Sequence, residues 1–181
     1  MNIVTTASLG KKNVQSFNLG QIGCFVDKDY SQQGVKPLNS QMLIWARLVR
    51  NESGGNLTAG SIVTDDTGST YGPGKAVGAA AVSGTSIGVG VVDPFVSGNI
   101  AAGETFWLIE AGPCQFKFTT GTTIAPGDAA ALGAAGRVIQ LDHTTLTDQL
   151  IFDRCGTVLE DVLTGVASDT LFRGIAEFRR R

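Results

Sequence analysis

Three stretches of the chain share one pattern: GNLTAGSIVTD at 55–65, GNIAAGETFWL at 98–108 and TTIAPGDAAAL at 122–132. Each has an aliphatic residue (Leu57, Ile100, Ile124), two small residues, a glycine (Gly60, Gly103, Gly127), then Ser61, Glu104 or Asp128, and then a strand-like run. This is a turn that opens a strand. The aliphatic residue anchors the turn in a core. The glycine takes the positive φ that a type II turn or bulge needs. The residue after it bonds back to the turn and faces water, and the strand that follows starts in a fixed register. Nothing in the pattern needs a ligand. The three glycines are unequally spaced along the chain, which excludes a single-period solenoid. Two further echoes, SIGVGVVD (86–93) and RCGTVLED (154–161), each place a short strand after a glycine and end in an acid. An opening turn, a hairpin and an exit strand therefore read as one unit, used twice.

The rest of the chain agrees with short strands and tight turns. The 24 glycines are near twice the usual share of roughly 7%, with no collagen period. CQFKFTT (114–120) alternates, with Cys114, Phe116 and Phe118 on one face and Gln115, Lys117 and Thr119 on the other, as in a half-buried strand. ETFWLIE, RVIQLD, GTVLEDV and RGIAEF read as further strands, with EAGP among the turns between them. QMLIWARLVR (41–50) is apolar on both strand faces, although a helix also accommodates it. DAAALGAA carries helix-forming alanines weakened by glycine. The expected fold is all-β, a small antiparallel barrel or sandwich of β-clip type. Residues 1–40 have no sustained period and read as an extended N-terminal arm, ordered only by lying on something else. Residues 41–181 form the body, ending in a basic tail.

Charge narrows the partners. Residues 1–60 hold six basic against three acidic residues, residues 61–178 hold five against thirteen, and Arg179, Arg180 and Arg181 close the chain. An acidic body between basic ends does not suit a nucleic-acid surface, but it suits ends that dock on another protein. The longest uncharged run, Ala76 to Val92, is too short and too polar to cross a bilayer. The N-terminus lacks the charged start and apolar run of a secretory signal. Cys24, Cys114 and Cys155 lack metal-ligand spacing and are expected to be reduced and buried.

Catalytic signals are weak. GSTYGPGKA (68–76) imitates a phosphate loop, but Ser69 stands where that loop needs glycine and Ala76 where it needs a hydroxyl. His143, the single histidine, sits in a polar loop without a nucleophile motif. Asp65 and Asp66 read as turn residues before they read as cation ligands. No enzyme activity, cofactor or metal is expected. Phe106 and Trp107 face opposite sides of one strand, which makes one of them a candidate for an interface, together with Arg179, Arg180 and Arg181.

From Leu57 to Leu141, the succession LTAGSIV, AVGAA, SIGVGVVD, IAAGETFWLIEAGPCQF and IAPGDAAAL…GRVIQL resembles the β-rich capsid decoration, or cement, proteins of tailed bacteriophages. The resemblance implies a structural virion protein on the outer surface of an icosahedral head. It would be bound to the major capsid protein, often as a homotrimer, and assembled in the host cytoplasm. It implies no nucleic-acid or membrane partner. The alternative from a different class is a head-fibre or tail-associated module that recognises a cell-surface glycan.

Overall fold

The computed structural model describes residues 9–14, 17–27, 42–82, 87–119, 123–141, 154–163 and 170–178. It contains ten strands: β1 (Ile22–Val26), β2 (Leu43–Asn51), β3 (Ile62–Asp65), β4 (Ala76–Ala80), β5 (Gly88–Val92), β6 (Thr105–Lys117), β7 (Ala129–Leu132), β8 (Val138–Gln140), β9 (Arg154–Val158) and β10 (Leu171–Glu177). The fold is all-β, as expected; the described residues add only a short 3-10 turn at Ala134–Gly136. No helix among them is long and apolar enough to cross a membrane.

The strand order is β1-β2-β4-β3-β5-β6-β10-β9-β7-β8, with an extra pairing of β2 to β6. Beyond β1 and β2 this order is a palindrome: β4-β3-β5-β6 is mirrored by β8-β7-β9-β10. The hydrogen bonds repeat with it. In each shared turn the residue after the glycine donates its N–H to the carbonyl three residues back: Ser61 to Thr58, Glu104 to Ala101, Asp128 to Ala125. The glycines have φ of 76°, 84° and 92°, which places them at the third position of a type II turn. Gly60 N–H then reaches the carbonyl of Val92, and Gly127 N–H that of Val158, at the ends of β5 and β9. The aliphatic residues pair across the structure, Leu57 with Ile100 and Ile124 with Val162. Val162 thus takes the anchoring place that Ile100 holds in the first copy, although the sequence after it departs from the shared pattern, with leucine in place of the first small residue and valine after the glycine.

Each copy closes on itself. β2 pairs with β4 in parallel and with β6 antiparallel, so β2, β4, β3, β5 and β6 form a closed five-stranded barrel. In the second copy the far end of β6 takes the part of β2. It pairs antiparallel with β10, and Phe118 bridges Val138 of β8 in parallel. The 13-residue β6 is therefore the last strand of one barrel and the first of the next. The EAGP turn expected within it does not form. Gly112, at φ 98°, and Pro113 lie inside the strand, where the chain passes between β2 and β10.

Aliphatic residues fill the first barrel, with Leu57, Val63, Val77, Val92 and Ile100 in one buried cluster. Their counterparts in the repeat, Ile124, Ala130, Val138, Val158 and Val162, lie in the larger cluster that runs on beneath the N-terminal segment. Ala129–Leu132 is the strand expected after its opening turn. All four residues of β7 are buried between β8 and β9, and that pairing overrides alanine's helical preference. Residues 114–118 of CQFKFTT are enclosed on both faces instead of one, because the Thr58–Ser61 turn lies over Gln115 and Lys117. The Lys117 ammonium donates to Thr58 Oγ1 at 2.7 Å, and its backbone N–H donates to Gly60. Within QMLIWARLVR the strand runs from Leu43 onward, with Ile44, Ala46, Leu48 and Val49 buried.

The described residues of the stretch 1–40 pack on the body. Within it β1 pairs with β2 along its whole length, Leu9, Cys24 and Phe25 are buried, and Phe17 meets Trp107 edge-on at 5.5 Å. Aromatic and aliphatic residues spaced without a period still find a core when the sheet face beneath them is apolar.

Candidate functional site

At one end the first barrel opens into a cavity of about 350 Å³. Its walls are Val49, Val77, Val89 and Leu108 inside the barrel, with Ile87 and Phe178 at the lip. Three charged side chains join them: Arg47 from β2, Asp65 at the end of β3 and Glu110 from β6. Glu110 reaches the cavity because strand alternation puts it on the same face of β6 as Phe106 and Leu108, which line the first barrel. Trp45 pairs with Ala111 but Ala46 pairs with Ile109, so Glu110 is also the extra residue of a bulge. Arg47 Nε donates to Glu110 Oε1 at 2.5 Å. Asp65 Oδ1 accepts the N–H of Gly74 at 3.2 Å, and Gly74 packs against the guanidinium of Arg47.

A second polar cluster ties the N-terminal segment to the barrel. Asp93, at the end of β5, is fully buried. Its Oδ2 accepts from the N–H of Gly10 at 2.6 Å and its Oδ1 from that of Phe95 at 2.9 Å. Burial pushes its carboxyl up to about 6. Glu104 Oε2 accepts from Ala101 N–H at 2.7 Å, closing its own turn. Its two oxygens also hold Asn13 Nδ2 at 3.1 Å and Lys12 Nζ at 3.3 Å. The Ala101 bond, with lesser help from Lys12 and Asn13, holds this carboxyl below its ordinary range. Removing Glu104's carboxylate by Glu104→Ala should therefore loosen residues 9–14. Trypsin cleavage after Lys11 and Lys12 should speed up several-fold, and an unchanged rate would show that Glu104 does not hold the segment.

The candidate interface residues fare differently from expectation. Phe106 and Trp107 do face opposite sides of β6, Phe106 into the first barrel and Trp107 into the other core. Both are wholly buried within the chain, so neither presents a surface to a partner. Trp107 is covered by Phe17 and by Phe25, whose ring lies 5.0 Å away. Arg179, Arg180 and Arg181 lie outside the described residues, as does His143. Leu57, Gly60, Ile100, Gly103, Ile124 and Gly127 form the opening turns. The glycine-rich loop 66–75 is a series of turns, with Asp66 Oδ1 accepting from Gly68 N–H. The three cysteines are free and buried, and burial raises the Cys114 thiol well above its ordinary range. No group of His, Cys, Asp or Glu among the described residues could hold a metal ion.

No protein-family description matches the chain, and no curated protein matches it. Among solved structures, the head fiber gp8.5 N base of bacteriophage phi29 is similar to it. The TM-score is 0.47 and the identity 15%, over 74% of this chain and 94% of that one.

Proposed function

We propose that the chain is a structural protein of a phage virion that binds the outer surface of the head and stabilises it by bridging capsomers, acting as a homotrimer. The observation that carries this reading is the strand shared by both barrels. A cement protein works by resisting separation of the subunits it spans. A load entering either barrel is carried along β6, where sliding requires many ladder bonds to break together. The resemblance of Leu57–Leu141 to decoration proteins supports it. The head-fibre or glycan-recognition reading is favoured by one feature, the open mouth of the first barrel.

The test is to add the purified chain to heads that lack it. Co-sedimentation and a higher rupture temperature are expected, and a mass near three times 18.8 kDa in solution for the trimer. Heads that neither bind the chain nor gain resistance would sink the decoration role.

A further inference from the structure

The two barrels serve as controls for each other. Hydrogen-bond equivalence sets Asn51 against Phe118 and Asp65 against Leu132, since Asn51 and Phe118 each pair in parallel with the corresponding strand, and Asp65 and Leu132 with the same valine position of it. By the same register Arg47 matches Cys114, because they face Leu108 and Gly174, and Val49 matches Phe116. In the second barrel these places hold Cys114, Leu132 and Phe116, all buried in the core. The Phe116 ring fills its barrel against Gly174. Glu110 has no counterpart, being the bulged residue. The fold is therefore built once without the charged trio and once with it. Where the trio is present, the barrel has a cavity.

We propose that the mouth of the first barrel binds a neutral polyhydroxylated ring, of the kind found as a free sugar or at the end of a surface glycan. The lining selects this class. Among the described residues both terminal nitrogens of Arg47 lack a protein acceptor, since only Nε is used by Glu110. Asp65 uses only Oδ1. Donors and an acceptor thus share one small cavity, at the low end of the roughly 300–1,000 Å³ typical of ligand pockets. An anion would meet two carboxylates, and a cation would meet the guanidinium. Adjacent hydroxyls satisfy both, one accepting from Arg47 and its neighbour donating to Asp65. The C–H faces of the ring lie against Val49, Val89, Leu108 and Phe178. Mouths of β-barrels are a common place for such sites. The site does not depend on whether the chain decorates a head, so the two tests fail separately.

The experiment uses the full chain. Neutral hexoses and N-acetylhexosamines are screened by ligand-observed magnetisation transfer, with binding mapped onto the amides of Gly74, Gly88 and Val89. The wild-type chain should bind at least one of them and shift those amides. Asp65→Asn keeps the acceptor for Gly74 and should weaken binding about tenfold or more, with the melting temperature little changed. Comparing a bound monosaccharide with an oligosaccharide ending in the same unit separates the sources: equal affinity points to a glycan end, exclusion of the longer ligand to a free sugar. The proposal is overturned if no neutral sugar shifts the wild-type amides. It is also overturned if inorganic phosphate or a simple amine binds there more tightly, or if Asp65→Asn binds as well as wild type.

Discussion

Replacing Gly112 by alanine should lower the free energy of unfolding by about 3–5 kcal/mol. Gly112 sits near the middle of β6 at φ 98°, paired with Ala176 of β10. An added Cβ is driven into the carbonyl oxygen of Leu43 and lies 3.1 Å from Ile44 Cα. Both are backbone atoms, so no change of rotamer relieves the clash. Relief requires moving β2 away from β6, which opens the first barrel. The comparison is Gly54→Ala. Gly54 also has positive φ, 73°, but nothing lies within 4 Å of its added Cβ, so the conformational cost of about 1 kcal/mol stands alone. Urea unfolding of both variants measures the difference. A loss at Gly112 no greater than that at Gly54 would mean that the two strands do not approach as closely as described.

Acidification from about pH 7 to about pH 4 should add about 2 kcal/mol of stability from Asp93. Desolvation raises its carboxyl from 3.8 to about 6, against the lowering effect of the Gly10 and Phe95 hydrogen bonds. The folded value lies above the unfolded one, so the folded chain takes up its proton first. The ionised, buried form costs stability above about pH 6, and that cost disappears as pH falls from about 6 towards 3.8. Glu104 acts in the opposite sense and in a lower window. Its carboxyl is lowered from 4.5, so its stabilisation is present above that value and is lost as pH falls through the folded pKa below it. Denaturant midpoints taken between about pH 5 and about pH 7 isolate Asp93, and Asp93→Asn should flatten them. A wild-type profile already flat in that range, or an unchanged slope in the variant, would remove Asp93 from the account.

The opening turns were legible residue by residue. A type II turn requires positive φ at one position, and glycine meets that requirement locally, wherever the rest of the chain goes. The duplication was half legible, as three clear turns and two echoing exit strands. Its fourth anchoring residue, Val162, was hidden because it keeps only the core-facing part of the pattern. Aliphatic alternation marked most strands of the body. It failed at EAGP, where a neighbouring strand on each side holds the chain extended through a glycine and a proline. Within that N-terminal stretch, the packing of Phe17 and Phe25 was not legible because the ring they meet, Trp107, lies far along the sequence.

The candidate site was not legible at all. Arg47, Asp65 and Glu110 are ordinary strand and turn residues when read along the chain, 18 and 45 positions apart. The sequence by itself determined that the chain is all-β, where its turns open strands, and that a unit recurs. Local backbone geometry and side-chain alternation suffice for those features. Only the tertiary structure decided that β6 belongs to two barrels, that Phe106 and Trp107 are both enclosed, and that one barrel is plugged by Phe116 while its twin is left open and charged. Those outcomes depend on which strands become neighbours and on a one-residue bulge, and neither is encoded in any short stretch of sequence.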